Sequence, residues 1–510
     1  MRAYIAQGLV PSDPLSTFKY TTTHPVPTCP PSDTAVLVKV ACASVNPADI
    51  QYVNGVYKNA PAHPLPSFPC PLGVDGSGIV TAVGGKVTKF KPGDHVLGLH
   101  QRMDEGTWAE VAAFEEAELA VKPPGICWQL AAALPVAGLT ALSALLCCPA
   151  LHKKYSRHSS SGIPSSAAAE AAGAASAAAA ATATGVQQLQ GSAQAQSGHP
   201  QLAAAAAPGT GNAPVSPSSP SPSAAAVAAA SCTIGSTDPV SGSGLAQGSS
   251  EPSSHLPGFH SSTGSGNARD PNSNSSVRSV LILGASGGVG SVAVLLAKHL
   301  FRVPLVLATC SARNAKYVHN LGADAVIDYT SQDVAAAVLQ HLQGQLQQQP
   351  GSNSSSGSSS ARTHASTSSR SLDLVIDNVG GIDHMRMACK LLTPSSGLYV
   401  TSVPLSNPNK STLLSVLSFF VHLSARKLLH FLAPGSYPNV AFNGASPDGH
   451  MLQGLVDGLA AAETVVHGSS AGQCVVRLTE LDLQDTGVAL TAVQSKRVVG
   501  KLVLKVKPEL

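Results

Sequence analysis

Hydrophobic and polar positions change period several times along the chain. TAVLVKVACASV, from Thr34 to Val45, is β-branched and alternating, and SGIVTAVG repeats the pattern. KPGD at Lys91 to Asp94 reads as a turn before HVLGL. Residues 34 to 114 are therefore expected to be β-rich. From Trp128 the period lengthens in WQLAAALPVAGLTALSALLCC, a helical pattern in which Pro135 should start a helix or kink one. At Arg278 the pattern becomes SVLILGASGGVGSVAVLLAKHL, an apolar strand, a glycine turn and a helix, followed by the strand VPLVLATC. A helix near Ala312 to Asn320, a strand at Ala325 to Asp328, a helix near Val334 to Leu342, and strands from Leu372 and at Leu398 to Ser402 continue the alternation. That order implies a parallel sheet covered on both faces. The end, VVGKLVLKV at Val498 to Val506, alternates as a strand.

Two stretches carry neither period. Residues 156–276 are largely Ala, Ser, Gly, Pro and Gln, with six charged side chains and one aromatic, Phe259. Residues 345–371, QLQQQPGSNSSSGSSSARTHASTSSRS, are alike. Neither holds enough large apolar surface to offset the entropy of ordering it, so both are expected to be disordered inserts. The expected division is a catalytic domain over 1–150, the insert 156–276, a nucleotide domain over 277–402 containing the insert 345–371, and remaining nucleotide-domain elements with a return to the catalytic domain over 403–510.

The net charge of +3 and the lack of a basic block argue against nucleic acid as a partner. Ten cysteines without a CxxC pair suggest free thiols in a reducing compartment. MRAYIAQG reads as a strand, so no cleavable targeting sequence is expected and the compartment is either cytoplasmic or organellar, mitochondrion or plastid. The most apolar late segment, LLSVLSFFVHL from Leu413 to Leu423, is too short to span a bilayer, and packing or an oligomer interface is expected of it before a membrane contact.

The strongest chemical signal is Gly284-Ala285-Ser286-Gly287-Gly288-Val289-Gly290 between a strand and a helix. Glycines there let backbone approach a pyrophosphate, and the helix N-terminus favours its charge. The match is to AxGxxG, because Ala285 replaces the first glycine. An NAD site would carry Asp or Glu about 20 residues on; here stand Ser311, Arg313 and Lys316. A serine donor and two cations suit the 2′-phosphate of NADPH, although Arg313 and Lys316 also fit a solvated helix face.

On these residues, and on VNPAD (Val45 to Asp49), PLGVDGSGIV, FKPGDHVLG, GTWAE, LPVAGLTA, LGADAVIDYT and VIDNVGG, the chain resembles the zinc-free medium-chain dehydrogenase/reductases of the quinone oxidoreductase group, and among them the reticulon-interacting mitochondrial oxidoreductases and chloroplast-envelope quinone oxidoreductase homologues. The motifs cover nearly all of the chain outside the two inserts, in family order. The resemblance implies an α/β protein with a GroES-like β-rich catalytic domain, a Rossmann domain with a doubly wound parallel sheet, and the cofactor in the cleft between them. It would place Ser286, Gly288 and Val289 on the pyrophosphate, Ser311 and Tyr329 on the adenosine half, Asn378 and Gly380 near the nicotinamide, and Ala441 and Phe442 across the far side. Asn46 and Asp49 would lie near the active site, with Tyr57 in the substrate cleft. Related reductases are often dimers, which makes a homodimer an implication of the family.

Zinc-dependent relatives carry a Cys in the segment held here by ASVNPAD and Gly-His-Glu in that held by GVD. Neither ligand type is present, no Cys/His cluster replaces them, and His95 and His100 read as strand and loop residues. Without a Lewis acid, alcohol oxidation loses its support. Hydride delivery from NADPH to a quinone or an α,β-unsaturated carbonyl needs orientation and stabilisation of a developing oxyanion. Asn46 and backbone N–H groups could supply the latter, with Tyr57 or water delivering the proton; Tyr57 is equally suited to packing. A trans-2-enoyl thioester reductase, and a quiet NADPH-binding sensor or interaction protein recruiting through 156–276, are the rival readings.

Overall fold

The computed structural model describes residues 1–10, 12–28, 30–55, 67–100, 106–158, 277–347, 371–403, 413–461 and 475–507. Tyr57 and nearly all of the two expected inserts lie outside these residues.

The first β-rich region contains β1 (Ala3–Ala6), β2 (Phe18–Thr21), β3 (Ala35–Val45), β4 (Cys70–Pro71), β5 (Asp75–Val83), β6 (His95–Leu99), β7 (Val111–Glu115) and β8 (Leu119–Val121), with the short helix α1 (Pro47–Val53) after β3. β3 is buried almost throughout because it pairs with more than two neighbours, β5, β7 and the last strand of the chain. Register shifts at Leu37/Val38 and Val40/Cys42 bend it so that those partners can share its length. Trp108 packs fully buried among Tyr4, Phe18 and Gly73, and its indole N–H donates to the Ser44 carbonyl at 3.1 Å.

Three helices follow: α2 (Trp128–Ala133), α3 (Pro135–Leu146), which Pro135 does start, and α4 (Pro149–His158). α4 runs past Ser156, where the first insert was expected to begin. Next come β9 (Ser279–Leu283), α5 (Gly288–Leu295), β10 (Leu305–Cys310), α6 (Ala315–Asn320), β11 (Ala325–Asp328), α7 (Val334–Gln347), β12 (Leu374–Asp377), α8 (Ile382–Leu391), β13 (Leu398–Thr401), α9 (Leu413–Leu432) and β14 (Asn439–Phe442). Their strands form a six-stranded, all-parallel sheet in the order β11-β10-β9-β12-β13-β14. This is the doubly wound order of a Rossmann sheet, with its switch point between β9 and β12. β9 is buried at every position, as a central strand covered on both faces must be.

The chain then forms α10 (Gly449–Ala461), β15 (Leu478–Asp482), α11 (Thr486–Gln494) and β16 (Lys501–Lys505). β16 rejoins the first region, antiparallel to β3 and parallel to β15, in the sheet ordered β15-β16-β3-β5-β6-β8. At its start, Gly500 bridges to Gly287 of the glycine turn, and its N–H donates to the Ser286 carbonyl at 2.8 Å.

α9 extends past the apolar segment singled out in the sequence. The apolar run ends at Leu423, but the helix continues to Leu432 because SARKLLHFL keeps helix-forming residues and an amphipathic period. Phe419 and Leu423 are buried, whereas Val421, Leu428, Phe431 and Leu432 are exposed. Among the described residues no single helix is long and apolar enough to cross a membrane. α5 passes into a π turn over Leu296–Leu300, where one continuous helix was expected; nothing in the structure explains it.

Candidate active site

The glycine turn folds as its sequence requires. Gly284 takes φ +69, its N–H donating to Thr309 Oγ1, while Ala285 N–H donates to the Thr309 carbonyl. Gly287 caps α5 without a capping side chain, which leaves the first-turn N–H groups available to an anion. Ser286, Gly287, Gly288 and Val289 are half-buried, and Gly290 is buried behind them.

Asn314 ties this turn to the end of β10. It is buried, and its Nδ2 donates to Ser286 Oγ (3.4 Å) and Ser311 Oγ (3.3 Å). Sequence reasoning missed it, because an Asn opening a helix looks like an ordinary cap. Arg313 and Lys316 are exposed on the following turn, and Tyr329 is exposed after β11. One acid unforeseen in the sequence stands close by: Asp328 is in register with Cys310. Hydrogen bonds from Thr330 and Ser331 hold its carboxyl below the usual carboxylate range.

Across the switch point, Asn378 Nδ2 donates to the Leu283 carbonyl at 3.1 Å, and its Oδ1 is buried without a partner. Asp377 shapes the next turn, accepting from Val379 N–H, Gly380 N–H and the Tyr399 hydroxyl. Burial first, and the Asp377 charge second, push the Tyr399 phenol far up. Gly380 has φ +81 and its α-carbon faces the Val403 backbone, so a side chain there would collide. At the edge of the sheet, Ala441 and Phe442 are half-buried; Phe442 meets Phe420 edge-on at 5.6 Å, and Asn443 Nδ2 donates to the Thr140 carbonyl.

The catalytic-domain side is a buried polar cluster. Asp75, 0% exposed, accepts at Oδ2 from Ser44 Oγ (2.7 Å), Asn46 Nδ2 (2.9 Å) and Lys501 Nζ (3.4 Å), and at Oδ1 from Val136 N–H. Lys501 Nζ also donates to Asn46 Oδ1 at 2.6 Å. Asn46 is 3% exposed and both ends of its amide are engaged, so the oxyanion role foreseen for it falls more naturally to backbone N–H groups. Neither Lys501 nor Asp75 was singled out in the sequence. The available signal was a charged residue at the start of each of two strands, in GKLVL and GVDGSG.

Asp49 Oδ2 accepts from Asn46 N–H at 2.6 Å, and its Oδ1 has no partner. Burial pushes its carboxyl from 3.8 up to about 8. Between those values the folded protein holds a proton that the unfolded chain has lost. The group therefore costs stability progressively as pH rises from about 4 to 8, and the full cost remains above 8. Asp49→Asn keeps an acceptor for Asn46 N–H, and is expected to flatten the thermal midpoint over that window and to gain a few kcal/mol on the parent at pH 9; pH-resolved calorimetry measures it.

His95 is exposed at the start of β6 and lies tilted against the Trp128 ring, and His100 is buried with Nδ1 3.5 Å from Glu118 Oε2. Among the described residues no group of three or more His, Cys, Asp or Glu could hold a metal ion.

Two family models match the chain: the alcohol dehydrogenase GroES-like domain over residues 32–124 and the zinc-binding dehydrogenase over residues 321–504. The chain is 40% identical over 121 residues to the chloroplast envelope quinone oxidoreductase homolog of Arabidopsis thaliana, covering 24% of this chain and 35% of that one. It is 39% identical over 116 residues to 2-methylene-furan-3-one reductase of Solanum lycopersicum, covering 22% and 29%. These matches thus span about a third of the relatives' length. The solved quinone oxidoreductase of Coxiella burnetii shares the fold, with a TM-score of 0.53 at 19% identity over 99% of each chain.

Proposed function

For a chain that belongs to the medium-chain dehydrogenase/reductase superfamily, in its quinone oxidoreductase group, we propose a zinc-independent reductase that uses NADPH to reduce a quinone or an α,β-unsaturated carbonyl. One observation carries this reading: the uncapped, half-exposed first turn of α5 is joined through Asn314 to Ser311, with Arg313 and Lys316 beside it. A dinucleotide fits these residues. The turn offers unpaired N–H groups to a pyrophosphate, and Asn378 Oδ1, buried and unpartnered on the adjoining strand end, suits a donor such as a nicotinamide amide.

When bound, NADPH supplies the hydride. The protein's part is to bind, orient and exclude water. Ser286, Gly288 and Val289 would hold the pyrophosphate; Ser311, Arg313, Lys316 and Tyr329 would hold the 2′-phosphate and adenosine half; Asn378 and Gly380 would set the nicotinamide end, with Ala441 and Phe442 across the far side. The acceptor's oxygen would take hydrogen bonds from backbone N–H groups, and Tyr57 or water would deliver the proton that completes the reduction. Where zinc-dependent relatives place ligands, this chain holds Asn46 and Asp75 bonded to Lys501, which supports zinc independence. Overnight dialysis against a chelator is expected to leave turnover unchanged. A homodimer belongs to the same proposal, in cytoplasm or an organelle; the exposed apolar side of α9 beside the edge strand β14 supports it.

The test follows absorbance at 340 nm with 9,10-phenanthrenequinone, an alkenal and a crotonyl thioester as acceptors. Quinone or enal turnover favouring NADPH over NADH agrees with the proposal. Turnover of the thioester alone makes the enzyme an enoyl thioester reductase, and NADPH binding without turnover of any acceptor makes it a sensor or interaction module. Arg313→Ala is expected to raise KM for NADPH about tenfold and leave that for NADH unmoved.

A further inference from the structure

Lys501 occupies a place that the proposed chemistry does not yet use. It is the first residue of β16, 5% exposed, and is followed by three buried apolar residues, Leu502, Val503 and Leu504. A buried lysine loses hydration that must be replaced, and a buried ion pair is by itself a poor source of stability. Its surroundings indicate another use. The stem lies against the nucleotide turn: a β-carbon on Gly288 would come within 2.7 Å of Lys501 Cδ and 3.3 Å of Cγ. The preceding residue, Gly500, is hydrogen-bonded to the Ser286 carbonyl. The ammonium, at the other end, reaches Asn46 Oδ1 and Asp75 Oδ2.

We propose that Lys501 is a positioning residue that couples the nucleotide turn to the Asn46 segment. The proposal rests on the NADPH site described above. The lysine fixes the amide's orientation from one side by donating a hydrogen bond to Oδ1, while Asp75 fixes it from the other by accepting one from Nδ2. An amide so held has one orientation, and Asn46 opens α1 through its backbone contact with Asp49. An anion seated on the turn at Ser286 to Val289 therefore bears on the stem of the side chain that orders residues 46 to 54. Binding of the cofactor would tighten the acceptor side of the cleft with no ligand reaching it directly.

The test is hydrogen exchange of the full chain with and without NADPH, which needs no turnover. In the parent protein NADPH is expected to slow exchange about tenfold both at residues 284–295 and at residues 46–54. Lys501→Met leaves Asp75 buried without its cation and can simply fail to fold, so the deciding variant is Lys501→Met/Asp75→Asn, in which both charges are gone. This variant should keep the protection at 284–295 and lose it at 46–54. Where the parent turns over an acceptor, kcat of the double variant should fall at least about tenfold while KM for NADPH stays within about threefold. Retained protection at 46–54 in the double variant, or no response there in the parent, overturns the coupling. Failure of every acceptor with the exchange pattern intact would count against the reductase activity and in favour of the coupling.

Discussion

Gly290→Ala is expected to reduce NADPH affinity at least about 100-fold, a loss of ~2.7 kcal/mol. A β-carbon at Gly290 would collide with the Gly284 carbonyl oxygen and lie 2.8 Å from Ala285 Cα and 2.9 Å from the Gly284 carbonyl carbon. All three are backbone atoms of the turn, so no flexible side chain can move aside. The helix must back away from the turn, pulling on the bonds from Ser291 to the Gly287 and Ala285 carbonyls. The N–H groups proposed to hold the pyrophosphate then lose their common focus. Both tryptophans, Trp108 and Trp128, lie outside the glycine turn, in the first region and its adjoining helix, so their emission reports on that part separately. Titration by NADPH fluorescence reads the lost affinity, and unchanged tryptophan emission shows that the catalytic sheet is intact.

Trp108→Ala is expected to cost ~3–5 kcal/mol of stability, roughly 10 °C in thermal midpoint. The indole is fully buried between the rings of Tyr4 and Phe18, and the backbone at Gly73 approaches it so closely that only a glycine fits. Removing it opens a cavity that these rings cannot fill without moving β1. Its N–H also holds the Ser44 carbonyl, two residues before Asn46. Loss of that bond frees the segment that Asp75 and Lys501 align, so kcat should fall more than NADPH affinity does. Calorimetry gives the first number and a comparison of kcat with KM the second.

The parts of this protein that follow a period were legible in the sequence. The strand of Ser279 to Leu283, the glycine turn and the helix behind it are specified by apolar runs and by residues without side chains, and the alternation after them leads to the parallel sheet. The elements that depend on distant partners were not. Lys501 and Asn46 are separated by 455 positions, and only the return of β16 to β3 brings the ammonium to the amide. Asn314 and Asp328 likewise gain their meaning from neighbours across a turn and a strand. The apolar segment Leu413 to Leu423 did not reveal the full length of α9, because Ser424 and Lys427 belong to the face the helix shows to solvent. Asn46 itself was expected at the site, yet the three donors gathered on Asp75 Oδ2, which engage its amide, could not be counted from sequence.

The central claim is that this cleft moves hydride from NADPH to an electron-poor acceptor. It is tested most directly by following the label from NADPH deuterated at nicotinamide C4, on the transferred face, with 2-alkenal as acceptor and mass spectrometry of the product. The account predicts one deuterium at the β-carbon, and a rate that drops in Arg313→Ala at subsaturating NADPH. Oxidation of NADPH with no deuterium in the product, or no oxidation with any acceptor when NADPH is bound, would contradict it.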